Sequence, residues 1–144
     1  PASAQEQEKF FIAADDLGIK ENVKYVGVVP WEMMPSFYNI SNIMISISSN
    51  DSLPNCMLEA MACEVPIIMG DIPQIRYWIK DKINGCLINP VDQCMLSEAI
   101  LFLLENPHTK ETIVKNNIEL VRANFDQTKN EIIIKNLVRQ IVLG

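Results

Sequence analysis

The 144-residue sequence has one histidine, four scattered cysteines, five glycines, fewer basic than acidic residues and no apolar run near the length of a membrane span. Each shortage removes a class of function. A zinc site needs several His or Cys ligands at short spacing, and Cys56, Cys63, Cys86 and Cys94, with no Cys-x-x-Cys pair and only His108 beside them, do not provide it. The same spacing carries no redox motif, so buried thiols in a reducing cytosol are expected rather than disulfides. The longest apolar stretches, Ile43–Ile47 and Ala99–Leu104, fall far short of the about 18 residues that cross a bilayer. Twelve Lys plus Arg stand against eighteen Asp plus Glu, a net charge of -6. A nucleic-acid binder draws most of its non-specific affinity from a basic face, so no nucleic-acid partner is expected. The expected location is the cytoplasm, with a peripheral position on the inner face of a membrane as the alternative.

With 49% hydrophobic and 21% charged residues, the chain has the make-up of one ordinary soluble domain. A chain of this length can bury about two thirds of the surface its unfolded form exposes. Its opening Pro-Ala-Ser-Ala-Gln, without methionine, reads as an excised or processed piece.

Phe10, Phe11, Ala14 and Leu17 recur at helical spacing, and Gly18 supplies the left-handed stop, so residues 5–17 are expected to be a helix. Val23–Val29 is β-branched, aromatic and short, and reads as a strand ending at Pro30. A short helix is expected over 32–39. Ile43–Ser48, nearly all apolar, fits a strand buried on both faces, as in a parallel sheet. Ser48-Ser49-Asn50-Asp51-Ser52 is turn and cap chemistry, and Pro54 suits the first turn of a helix running to Cys63. Further strands are expected at Pro66–Met69 and Cys86–Ile88, with a helix near Pro73–Ile79 between them. Helices then follow at about 92–105, 108–124 and 127–143, the last with Ile133, Leu137 and Ile141 on one face. Alternating strands and helices over 90 residues argue for an α/β, Rossmann-like, doubly wound parallel sheet with a helical C-terminus.

The segment from Ser48 to Pro66 is where chemistry concentrates. If Pro54 opens the helix, Pro54, Met57, Leu58, Met61 and Ala62 form its sheet-facing side. Glu59 lies off that side, about 140° round from Pro54 and on the same flank as Asn55. An acid this far into a helix is not there for the N-terminal dipole, whose effect fades within the first turn. Free amides at the helix start can hold an anion, and the carboxyl ends of strands in open α/β sheets collect ligands. A phosphate at the helix mouth would leave an attached ribose beside Glu59, whose carboxylate can accept from two vicinal hydroxyls. A solvated surface glutamate is the simpler alternative from position alone.

Asp51-Ser-Leu-Pro-Asn-Cys-Met-Leu-Glu-Ala-Met-Ala-Cys-Glu-Val-Pro66, followed by Asn84-Gly85 and Pro90-Val91-Asp92, resembles the C-terminal donor-binding domain of retaining GT-B glycosyltransferases, the large family 4 group. Val23–Pro30 and Ile43–Ser48 match that domain's third and fourth strands, so the resemblance covers nearly the whole chain. It implies a nucleotide-sugar-binding domain over 1–124 lacking its first two strands, then a C-terminal helix over 125–144. The family pattern is an acid, seven residues and a second acid, here Asp51 and Glu59. By that resemblance Glu59 binds the ribose of a UDP- or GDP-sugar type donor. Asp51 faces the transferred sugar and its developing positive charge. The amides of Leu53, Asn55 and Cys56 meet the diphosphate or sugar; Pro54 has no amide to give. The base lies near Val28 and Val29. No cofactor and no metal are implied, since the nucleotide-sugar is the substrate and no Asp-x-Asp motif occurs.

Two positions depart from the family pattern. Asp51 stands where glutamate is usual, one methylene shorter, and Glu64 replaces the usual glycine after the helix, where positive φ is often required. The resemblance also implies a diphosphate clamp of one Arg and one Lys that this chain does not contain, and a glycan or lipid acceptor met through a separate N-terminal domain. Between Asp51 and Asp71 there are four acids and no base. The strand at 23–29, without its usual neighbours, is expected to pair with a second copy or a separate fragment. The chain alone is expected to be inactive. The alternatives are a non-catalytic nucleotide-binding or regulatory module and an interaction domain of the same fold. His108 is expected at the surface, and Arg76 is expected to pair with Asp71 or Asp81.

Overall fold

The computed structural model describes residues 3–143. The chain divides into two compact units, residues 1–34 and 35–144. In the first, helix α1 (Ala4–Asp16) starts at a capping box: the Ser3 hydroxyl accepts from the Glu6 amide while Glu6 accepts from the Ser3 amide at 2.7 Å. Its stop is Gly18, at φ 66°. Tyr25 is held to α1 by an edge-on contact with Phe11, 6.2 Å between ring centroids, and by a hydrogen bond from the Gln7 side-chain amide.

Residues 23–29 correct the sequence reading. They run without ladder pairing, and Val28 is 82% exposed. β-Branched composition becomes a strand only when a neighbouring edge accepts its backbone hydrogen bonds, and among the described residues none does.

Helix α2 (Met34–Asn39) leads into the sheet. Three parallel strands, β1 (Met44–Ser46), β2 (Ile67–Gly70) and β3 (Cys86–Ile88), lie in the order β1-β2-β3, with Ile45 opposite Ile68 and Ile68 opposite Cys86. Helices α3 (Asn55–Ala62) and α4 (Pro73–Arg76) connect them. The expected two-faced burial belongs to β2, where every residue is buried, and not to β1, an edge strand whose Ile45 is 43% exposed. A central strand is covered on both sides; an edge strand is not.

Helices α5 (Gln93–Glu105), α6 (Pro107–Asn124) and α7 (Gln127–Leu143) follow, within a residue or two of their expected bounds. Asp92 caps α5 by accepting from the Met95 amide. Leu103 and Ile113 join Ile68, Cys86 and Ile88 in one buried cluster. On α7 the expected apolar face is exposed at Ile133 and Ile141, and the Leu137 side chain lies outside the described residues. No described helix is long and apolar enough to cross a membrane.

Two details of α3 also differ from the sequence reading. Pro54 is the residue before the first helical turn rather than within it, and the buried side consists of Met57, Ala60 and Met61, with Ala62 exposed. The helix ends as a Schellman motif: the Val65 amide donates to the Ala60 carbonyl and the Glu64 amide to that of Met61, with Glu64 at φ 63°. Glutamate therefore occupies the left-handed position that glycine usually fills.

Candidate functional site

The segment from the carboxyl end of β1 to the middle of α3 gathers Asp51, Leu53, Asn55, Cys56 and Glu59. Short polar side chains shape its loop. The Ser48 hydroxyl donates to the Asn50 carbonyl at 2.8 Å, and an Asp51 carboxylate oxygen accepts from the Ser52 amide at 2.8 Å. Gly70, at the end of β2, lets the loop approach: a Cβ there would collide with the Ser48 carbonyl oxygen. Asp51 and Pro54 share a narrow cleft with Ser46, Met69, Ile72 and Ile75.

Pro54 has extended backbone angles and, among the described residues, no side chain caps the amides of α3. A helix start of this kind presents unpaired N–H groups and a partial positive charge. Leu53 and Cys56 are half-buried beside it and Asn55 is exposed. Glu59 is exposed, four residues beyond Asn55 on the same flank, as the helical spacing requires.

Burial raises the thiol of Cys56 above its ordinary value, and the carboxylates of Glu59 and Asp51 add to the rise, against hydrogen bonds from the Met57 amide and Ser46. The Cys56 thiol therefore lies within electrostatic reach of both acids. Cys63 is raised as well, by burial first and then by Glu59. Thiols held protonated in this way are poor nucleophiles and poor metal ligands. Among the described residues no group of three His, Cys, Asp or Glu side chains is placed to hold a metal ion. Cys94 is exposed, against the expectation of buried thiols.

One neighbour of Glu59 that the sequence reading did not single out is Tyr38. Its side chain, buried at the end of α2, donates its hydroxyl to Glu59 Oε2 at 3.0 Å. Burial, and then the hydrogen bond to Glu59, holds the phenol well above its ordinary pKa, so it stays a donor. Twenty-one residues separate the two, and no spacing rule links them.

Other positions behave as structural residues. Arg76 forms a two-pronged pair with Asp71, its Nη2 donating at 2.7 Å, and His108 is exposed. Val28 and Val29 lie in the first compact unit, in the extended segment already described.

Parallel strands in this order, with helical connections and a three-helix end, form an α/β domain whose fold matches the C-terminal domains of GT-B glycosyltransferases. The sequence pattern of the family described as glycosyl transferases group 1 matches residues 3–120. The chain belongs to that family. It is 23% identical over 108 residues to the alpha-D-kanosaminyltransferase of Streptomyces kanamyceticus, covering 75% of this chain and 28% of the relative. The chain thus spans less than a third of that relative's length. Sucrose-phosphate synthase from Thermosynechococcus elongatus has the same fold at a TM-score of 0.87 and 24% identity, over 99% of this chain and 36% of that one. Anabaena HepE, solved in complex with UDP-glucose, matches at a TM-score of 0.83 and 21% identity, over 94% of this chain and 38% of that one.

Proposed function

We propose that this chain supplies the donor-binding part of a retaining glycosyltransferase, which moves a sugar from a nucleotide-diphospho-sugar to a glycan or lipid acceptor and keeps the anomeric configuration. The observation that carries the reading is the placement of Asp51 and Glu59 on either side of the uncapped start of α3, at the carboxyl end of a parallel strand. The UDP-glucose complex of HepE supports a nucleotide-sugar as the donor.

In this reading the amides of Leu53, Asn55 and Cys56 meet the diphosphate or the sugar, and Glu59 accepts hydrogen bonds from the ribose hydroxyls. Asp51 faces the transferred sugar, where an oxocarbenium-like transition state develops positive charge that a carboxylate stabilises. The diphosphate leaves with its electron pair, and the helix amides take part of that charge. The segment 51–71 holds four acids and no base, so further positive charge comes from outside it. The chain by itself is expected to transfer no sugar.

A second reading, a nucleotide-binding module without catalysis, is favoured by one observation. Asp51 is one methylene shorter than the usual glutamate, and its hydrogen bond from the Ser52 amide draws the carboxylate back to its own loop. Both readings predict nucleotide binding through Glu59. Calorimetric titration with UDP-, GDP- and ADP-sugars tests it: one of them binds, and Glu59→Ala abolishes that binding. Unchanged binding by the variant overturns the site.

A further inference from the structure

Glu59 is an exposed glutamate, and an exposed glutamate ordinarily samples many rotamers. Tyr38 removes part of that freedom. Its ring is buried with a relative exposure of 6%, so it enters the contact already fixed, and its hydroxyl reaches one carboxylate oxygen, Oε2, at 3.0 Å. The backbone that carries the ring is held at the end of α2: the Ser41 amide donates to the Tyr38 carbonyl at 2.9 Å, and the Ser41 hydroxyl to the Phe37 carbonyl at 2.7 Å.

A buried phenol needs a hydrogen-bond partner. Here that partner is a carboxylate on a different element. A carboxylate carries about four acceptor sites, so a single donor at Oε2 leaves Oε1, and the second lone pair of Oε2, open to two neighbouring hydroxyls. The bond therefore orients the group without using it up.

We propose that Tyr38 is a positioning residue that holds the Glu59 carboxylate in the orientation that receives the ribose of the nucleotide. The inference rests on the nucleotide reading above and deepens it. Tyr38 touches no substrate in this account; it acts only through Glu59.

The test uses the whole chain and whichever of UDP, GDP and ADP binds it most tightly, with the 2′,3′-dideoxy form of the same nucleotide as the comparison. Tyr38→Phe removes the hydroxyl and leaves the ring. It is expected to weaken binding of the ordinary nucleotide about tenfold. It is expected to have no effect on the dideoxy nucleotide, and none in a Glu59→Gln background, while the melting temperature shows that the fold persists. A general structural role would weaken all of these binding events alike, and that result overturns the inference. So does unchanged binding of the ordinary nucleotide by Tyr38→Phe. A Tyr38→Phe chain that fails to fold also overturns it, because the hydroxyl would then be holding the fold and not the carboxylate. Glu59→Gln alone separates the two layers. If it leaves nucleotide binding untouched, the nucleotide reading itself falls; if it weakens binding and Tyr38→Phe does not, only the positioning role falls.

Discussion

Replacing Glu64 by glycine should make this chain more stable, although it deletes a whole side chain. Glu64 sits at φ 63°, where an L-residue pays about 1–2 kcal/mol that glycine does not. Glycine loses more backbone freedom on folding, which offsets about 0.5–1 kcal/mol of the gain. The acid also lies just past the negative end of α3, an unfavourable place that adds roughly 0.3 kcal/mol to the gain when the charge is removed. The carboxylate is exposed, and among the described residues it has no ion pair or hydrogen bond to lose. The net gain is about 1 kcal/mol, which for a chain of this size raises the melting temperature by roughly 3 °C. Glu64→Ala is the control, because it removes the charge but keeps the Cβ that causes the strain. Circular dichroism melts of the three chains decide it: Glu64→Gly should melt above Glu64→Ala. If the two variants melt together, the left-handed strain at residue 64 is not what limits stability there.

Asn117 on α6 is fully buried and among the described residues neither side-chain polar atom has a hydrogen-bond partner, so Asn117→Leu should stabilise the chain by about 1–3 kcal/mol in denaturant unfolding; a loss would show that the amide is satisfied. Gly70→Ala should destabilise by about 1–3 kcal/mol, since its Cβ meets backbone at Ser48 and cannot be relieved by a rotamer change; an unchanged unfolding midpoint would contradict the tight approach of loop and strand. Arg76 holds the Asp71 carboxyl below its ordinary value, chiefly through the hydrogen bond. A depressed carboxylate stabilises the fold above its unfolded pKa, and that contribution is lost as pH falls through the lower folded value. Arg76→Ala should therefore raise the Asp71 pKa toward the ordinary carboxylate value in an NMR titration. No rise would mean the pair is absent in solution.

The three C-terminal helices were legible because their apolar spacing is local and each start carries its own signal, such as Asp92 before α5 or Pro107 at the start of α6. The same holds for the flank of α3 that brings Asn55 and Glu59 together, a spacing set within one helix. Residues 23–29 form no strand within the described residues because strand formation is settled by a neighbour, and the neighbours that the resemblance implies are not part of this chain. The exchange of Ala62 for Ala60 on the buried side of α3 has a similar origin: small residues carry little periodic signal, and packing decides which one is covered. Tyr38 was invisible for the strongest reason. Its aromatic ring reads as core, which it is, and its hydroxyl meets Glu59 only once α2 and α3 are folded together.

The central claim is that the flank of α3 carrying Glu59 receives the ribose of a nucleotide. A crystal structure of the chain with the tightest-binding of UDP, GDP and ADP tests it most directly. The account predicts ribose hydroxyls within hydrogen-bonding distance of the Glu59 carboxylate and phosphate oxygens at the amides of Leu53, Asn55 or Cys56. A nucleotide found instead in the groove of about 230 Å³ lined by Asp81, Lys82, Leu87, Met95, Glu98 and Phe102, with Glu59 untouched, would contradict it.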